Sequence, residues 1–580
     1  MKWMFMPVLS LRVFTATAAA FALSLSACAA DAYQLPDETS LSGSYLAGRT
    51  ASKLRDNDAA SEFLTRALEE DASNPVLIER VFLLELSEGN IEIAEEMAQQ
   101  VLGFNSQQRM ARTVLGLRDY RNRHYPGARK NFTAAAYTPV GELTSALLIA
   151  WSWAGQGELP PALKALDKLD NNESFANFKT FHAALIADYL GNSIRAEASY
   201  KKAYEQTGSS LRVAQAYGNF LERNGRAQEA AKIYTAFLDG GDDNPLIAAA
   251  LANTKANIKP KALVATPAAG AAEALFSLAT AMTDDQSMDV GLLYTQLALS
   301  FNADQPVTLT LLGDIYENMR RSEKAIEAYS QVPETSALRP NAEMEIAINL
   351  QRLERKDEAL AKLNGLVARN PADYDALLTL GNVYRNNEDF TNAAQAYDRA
   401  IALIAETQQS HWRVYYYSGI SNERMKNWPK AEKQFRRALE ISPDEAMVLN
   451  YLGYSMVDRK TNLVEAMAMI KKAVDLKPND GYIVDSLGWA YYQLGDYEQA
   501  LIHSERAVDL LPADPIIGEH LGDIYWRVGR TLEAKFQWQH AKDNKPEPED
   551  LKRIEEKLVN GLSDEVPVTP VQNGTDQNNG

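Results

Sequence analysis

DSLGWAYYQLGDYEQALIHSERAVDLLP (residues 485–512) and EHLGDIYWRVGRTLEAKFQWQHAKDNKP (519–546) lie 34 residues apart and share one plan. Each carries Leu-Gly, a Tyr three residues after the Gly, and an Ala nine residues further on. That Ala serves as a phase marker for the rest of the chain. It recurs at Ala60, Ala94, Ala128, Ala162, Ala196 and Ala230, resumes at Gly291, Ala325, Ala359 and Ala393, and ends at Ala431, Ala466, Ala500 and Ala534. Other positions move with the marker. Leu-Gly-x-x-Tyr precedes it at Gly313, Gly381, Gly488 and Gly522. A bulky or aromatic residue follows it by four at Phe132, Tyr200, Tyr234, Tyr329, Tyr397, Phe435 and Trp538. Gly stands five before it at Gly89, Gly157, Gly191, Gly225, Gly495 and Gly529, and Pro twelve after it at Pro371, Pro443, Pro478, Pro512 and Pro546.

These marks predict two antiparallel helices per unit. Apolar residues at i, i+3, i+4 and i+7 give each helix one buried stripe. The Gly before the marker ends the first helix in a left-handed conformation, and the Pro stops the second. Gly in the first helix and Ala in the second are expected to let the two backbones approach.

The 34-residue unit W-x₂-L-G-x₂-Y, then Ala, aromatic and Pro, resembles the tetratricopeptide repeat. The resemblance runs over about residues 45–546 and implies an all-α, right-handed solenoid of about fourteen helix–turn–helix units, crisp after residue 300 and degenerate before it. No single pair of helices can bury its apolar face alone, so neighbours must stack. The period breaks once, between Ala230 and Gly291, around GGDDNP (240–245) and IKPKALVATPAAGAAEA (258–274). The expected division is an N-terminal arm at 45–257, a linker or hinge at 258–271 and a C-terminal arm at 272–546; a distorted but fully packed unit is the competing reading. Residues 547–562 read as a polar capping helix. The tail 563–580 holds too little bulky apolar surface to fold.

The N-terminus reads MKWMFMPVLSLRVFTATAAAFALSLSACAADAYQ. Lys2 and Arg12 flank an uncharged apolar run ending in small residues, the design of a signal peptide over 1–27. Leu25-Ser26-Ala27-Cys28 resembles a bacterial lipobox, which implies lipidation of Cys28, the only cysteine of the chain. Several acyl chains together make a lasting anchor where one does not. Cleavage nearby at Ala27-Cys28-Ala29, as in an ordinary secreted protein, is the alternative. Ala29 after the Cys implies export to the outer membrane, facing the periplasm, with 28–44 as a tether. With no second cysteine, no disulfide can form within the chain.

A formal net charge of −18 argues against nucleic acid, whose phosphates would be repelled. The six histidines (His124, His182, His411, His503, His520, His540) show no paired metal-ligand spacing, and no nucleophile elbow or phosphate loop occurs. No catalytic residue, cofactor or metal is expected. The tetratricopeptide resemblance implies instead that the first helices line a concave groove. Carried over by position, it assigns Tyr416, Asn450, Tyr454, Tyr482, Asp485, Trp489, Tyr492, Asp523, Trp526 and Arg527 to a peptide-binding surface. Aromatic and Arg side chains supply large contact area with few rotors; the same rings could equally be inter-repeat core. The architecture further resembles large tetratricopeptide lipoproteins of Gram-negative bacteria, including the LbcA-type adaptors. That resemblance implies a scaffold linking a periplasmic carboxyl-terminal processing protease to cell-wall hydrolase substrates. An assembly factor for a secretion, pilus or polysaccharide-export machine is the other expectation.

Overall fold

A computed structural model describes residues 40–562, apart from 55, 242–243 and 285. The expected signal peptide, Cys28, most of the expected tether and the tail 563–580 lie outside the described residues. Among those described there are thirty α-helices, three short 3₁₀ turns and no strand. No helix among them is long and apolar enough to cross a membrane.

The thirty helices form fourteen consecutive pairs and two that stand alone, Pro245–Lys255 and Pro548–Asn560. The quoted stretch shows why a pair forms. Asp480 caps Gly481–Gln493 by accepting from the Ile483 amide, Asp496 caps Tyr497–Leu510 by accepting from Gln499, and the second helix ends two residues before Pro512. Gly481 lies against Leu511, Gly488 against Ser504, and Tyr491 stacks on His503. Sequence numbers that rise on one helix as they fall on the other define an antiparallel pair. All thirteen marker alanines are fully buried.

The first-helix Gly does something other than bring two backbones together. A Cβ added at Gly116, Gly218, Gly313, Gly381, Gly419 or Gly522 would stand 2.3–2.5 Å from the ring sixteen residues on. Those rings belong to Phe132, Tyr234, Tyr329, Tyr397, Phe435 and Trp538. The Gly is thus the floor of a slot for the aromatic residue four after the marker. The polar tip of that ring then reaches an acceptor on the first helix: Tyr329 Oη–H donates to Asp314 at 2.7 Å, Tyr397 to Asn382 at 2.9 Å, Tyr234 to Glu222 at 2.9 Å and Trp538 Nε1–H to Asp523 at 2.9 Å. At Gly488, which faces Ser504 and the Ala500 carbonyl, and at Gly453, which faces the Ala466 carbonyl, the two backbones meet as expected.

The turn inside most pairs carries a left-handed residue. Gly89, Gly157, Gly191, Gly225, Gly495 and Gly529 have φ between +74° and +85°. Where Gly is missing, Arg123, Arg320, Glu354, Glu388 and Lys426 take φ of 59–63° at the same register. A left-handed side-chain residue costs on the order of 1 kcal/mol. Glu354→Gly, at an exposed turn, is therefore expected to stabilise its unit by about 1 kcal/mol, read as a higher urea midpoint with an unchanged slope.

The structure divides at residue 369/370, into Gln34–Arg369 and Asn370–Gly580, and not within the expected hinge. Residues 258–271 lie inside the first unit. The period breaks because Pro245–Lys255 has no second helix; the chain crosses over 256–266 and starts a new helix, Pro267–Thr280. That helix and Met288–Leu299 lie against the first helices of earlier pairs. Tyr120 Oη–H donates to the Pro267 carbonyl at 2.8 Å, Gly270 sits against the Trp151 indole, and Arg212 pairs with Glu273 at 2.9 Å. Tyr294 Oη accepts from Arg109 and bonds Thr144, both at 2.9 Å, and Gln296 donates to the Ser87 carbonyl at 3.0 Å. In the first unit, much of the first-helix face is thus covered by the chain's own helices.

Candidate functional site

In the second unit the first helices are Tyr374–Asn386, Trp412–Arg424, Ala446–Asp458, Gly481–Gln493 and Pro515–Arg527, followed by the lone Pro548–Asn560. The last of these takes the place of a further first helix. Ile554 is fully buried and, with Leu558 and Leu562, packs on Trp538 and Trp526. At one register position, three residues before the first-helix Gly (Glu556 in the lone helix), the row reads Tyr416, Asn450, Asp485, Glu519, Arg553; four residues further along each helix it reads Ile420, Tyr454, Trp489, Asp523, Lys557.

The ten residues assigned to the groove fall into two groups. Tyr482 is exposed (42 %), and Asn450, Tyr454, Trp489, Trp526 and Arg527 are half-buried; Tyr416, Asp485, Tyr492 and Asp523 are buried. Tyr416 packs among Trp412, Tyr417, Phe435 and Tyr451, with centroids 5.4–6.1 Å apart. Trp526 leans on Trp538 at 5.4 Å and is covered by Gly561. Both are therefore largely packing residues.

Five of the remainder, Asp485, Trp489, Tyr492, Asp523 and Arg527, lie in one neighbourhood around His520 and Lys557. The Trp489 indole is stacked with Tyr492 (4.7 Å, 13°) and with His520 (4.0 Å, 16°). Arg527 Nε–H donates to Tyr492 Oη at 3.4 Å. His520 Nδ1 lies 2.8 Å from Asp485 Oδ2 and donates to it as a carboxylate. Burial alone would lower the imidazole pKa, but the Asp485 charge and hydrogen bond outweigh it and raise it. Glu519 accepts both Arg553 nitrogens at 2.6 Å and Lys557 Nζ at 2.6 Å, and Asp523 accepts Lys557 at 2.6 Å and the Trp538 N–H. At Glu519 desolvation would raise the pKa, yet the two cations together hold it below the ordinary value. At Asp523 desolvation wins over Lys557 and raises it.

His520, Glu519, Arg553, Lys557 and Trp538 were not among the sequence candidates. The 34-residue register carried the signal: it sets Arg553 opposite Glu519 and Lys557 opposite Asp523, but only for a reader who extends the repeat past its last marker.

A second polar cluster, in the first unit, gathers Asp314, Glu317 and Glu345. Glu317 accepts from Asn349 and from Arg352, the latter at 3.1 Å. Burial, with the charges of Glu317 and Asp314, pushes the Glu345 carboxyl up to about 8 against the pull of Arg352. An unfolded Glu titrates near 4.3, so between these values the folded state binds the extra proton and stability falls as pH rises through that window. Glu345→Gln is expected to raise the melting midpoint at pH 8.5 by a few degrees, the equivalent of about 1 kcal/mol, and to leave it unchanged at pH 4.

Residues 344–411 match one tetratricopeptide-repeat family model, and residues 42–74, 307–332 and 485–514 match another. These segments are tetratricopeptide repeats. The chain is 29 % identical over 191 residues to the TPR repeat-containing protein PA4667 of Pseudomonas aeruginosa, covering 33 % of this chain and 31 % of that protein. It is 25 % identical over 148 residues to the human protein O-mannosyl-transferase TMTC1, covering 25 % and 16 %. The chain thus spans about a third or less of the curated relatives it matches. Among solved structures, the Cut9–Hcn1 assembly of the APC/C is similar over 90 % of this chain and 97 % of that one, at 12 % identity and a TM-score of 0.38.

Proposed function

We propose that this chain is a lipid-anchored scaffold at the bacterial envelope whose second unit holds protein partners on its first-helix face. One observation carries the choice of unit. The first-helix face of Gln34–Arg369 is largely covered by Pro267–Thr280 and Met288–Leu299, whereas Tyr482, Tyr454 and Trp489 present rings at the surface of the second. Tetratricopeptide repeats bind protein partners, and the mechanism is effective concentration: protease and substrate held on one tether meet without any chemistry performed by the scaffold.

The finer reading is that the partners are a periplasmic carboxyl-terminal processing protease and cell-wall hydrolases, and that Cys28 carries the lipid. Affinity capture from envelope extract with the full lipid-modified chain tests it. Recovery of a serine protease together with a cell-wall hydrolase supports the adaptor; repeated recovery of integral membrane proteins of a secretion or pilus machine supports the assembly-factor reading instead. Cys28→Ala is expected to move most of the protein from the membrane fraction to the soluble one, with loss of incorporated labelled palmitate. Retention at the membrane would remove the anchor from the account.

A further inference from the structure

We infer that the first-helix face of the second unit recognises an arginine side chain of the partner polypeptide at Asp485 and Asn450. This rests on the reading of that face as the protein-binding surface and adds the chemistry it selects.

Asp485 is 6 % exposed, and its two oxygens are treated differently. Oδ2 accepts from His520, whose ring is fixed by stacking on Trp489. Oδ1 is buried and has no hydrogen-bond partner within the protein. Asn450 Oδ1, at the same register position one repeat earlier, is likewise buried without a partner. A buried acceptor left unmatched is destabilising, more so when charged, and such groups are rare enough in folded proteins to call for a donor.

The chain itself shows what satisfies a carboxylate at this position. One repeat on, the equivalent Glu519 receives a bidentate guanidinium from Arg553 and an ammonium from Lys557, both on the next first helix. For Asp485 the next first helix offers Glu519 and Asp523 at the matching positions, two acids already engaged. That helix supplies Asp485 with His520, which serves Oδ2 alone; the donor to Oδ1, the part that Arg553 plays for Glu519, comes from another polypeptide. A guanidinium suits the place better than an ammonium: its planar fork of N–H donors can reach two acceptors at once. Tyr482, three residues before Asp485 on the same helix, and half-buried Tyr454 beside it supply apolar surface for the arginine stem. Donor entry requires these surface rings to rotate, a motion of nanoseconds or less for exposed side chains.

Four fluorescein-labelled twelve-residue peptides of alternating Ala and Ser, with a central Arg, Lys, citrulline or Glu, test the inference by anisotropy against the purified mature chain at low salt. The Arg peptide should bind at least tenfold more tightly than its neutral isostere citrulline, with Lys between and Glu weakest. Asp485→Asn should bring the Arg and citrulline peptides to within twofold of each other, while Asp509→Asn, on an exposed second-helix position, leaves the preference intact. Equal binding of Arg and citrulline by the unsubstituted chain overturns the inference without recourse to any variant, as does an undiminished preference in a folded Asp485→Asn protein. Binding of all four peptides alike would leave the groove standing and remove only the arginine. Binding of none would overturn the groove reading and the inference together.

Discussion

Trp538→Ala is expected to destabilise the second unit by about 3–5 kcal/mol and to lower its melting midpoint by more than ten degrees, without altering the transition of the first unit. Two losses add. The indole is fully buried in the slot above Gly522 and is packed by Ala534, Ala541, Ile554 and Trp526, so its removal leaves a large cavity. Its N–H also satisfies Asp523, whose carboxyl lies in a site where burial already disfavours the charged form. Trp538→Phe separates the terms: it keeps most of the volume and loses the hydrogen bond, and should cost about 1–2 kcal/mol. Calorimetry of the whole chain resolves the two units if they unfold independently, which the compact division at 369/370 leads us to expect.

Gly313→Val is expected to destabilise the first unit by about 3 kcal/mol or more. A Cβ at residue 313 would lie 2.3 Å from the Tyr329 ring, and that ring cannot withdraw. It is 1 % exposed and its hydroxyl is tied to Asp314 at 2.7 Å. Moving the ring would orphan Asp314 beside Glu317 and Glu345, where uncompensated negative charge is already disfavoured. The compensating pair Gly313→Ala with Tyr329→Leu should recover much of the loss, because the smaller side chain leaves room for the new methyl group. A midpoint unmoved by Gly313→Val would mean that ring and glycine do not share a slot.

The periodic part of this molecule was open to reading. Thirteen buried marker alanines and six left-handed glycines stand where a repeat of about 34 residues, lengthened to 38 and 35 on either side of Ala431, put them, because both depend on local geometry that repeats with the chain. The ring-to-first-helix hydrogen bonds were not legible, since Asp188 and Asp314 look like any exposed acid until the Tyr twelve or fifteen residues on is folded above them. Nor was the covering of the first unit's face. Contacts such as Arg109 to Tyr294 join residues 185 apart, and no interval in the sequence specifies which earlier helices a returning segment meets. The same limit explains the hinge: a broken period at 240–271 signals a missing second helix, and a missing helix leaves open whether the chain swings free or folds back. Of the groove candidates, Trp526 and Tyr416 are drawn into packing for a chemical reason. An aromatic ring on a first helix is equally suited to solvent or to the neighbouring repeat, and here the neighbour took both.

Site-specific photo-crosslinking of the whole chain in intact cells tests the central claim most directly. A photoreactive phenylalanine at Tyr482 samples the first-helix face of the second unit; the same residue at Ile502, 57 % exposed on a second helix of the same pair, samples the opposite side. The account predicts a discrete set of protein adducts from position 482, the same set on repetition, and none of those proteins from position 502. Discrete protein adducts from position 502 with none from 482 would contradict it.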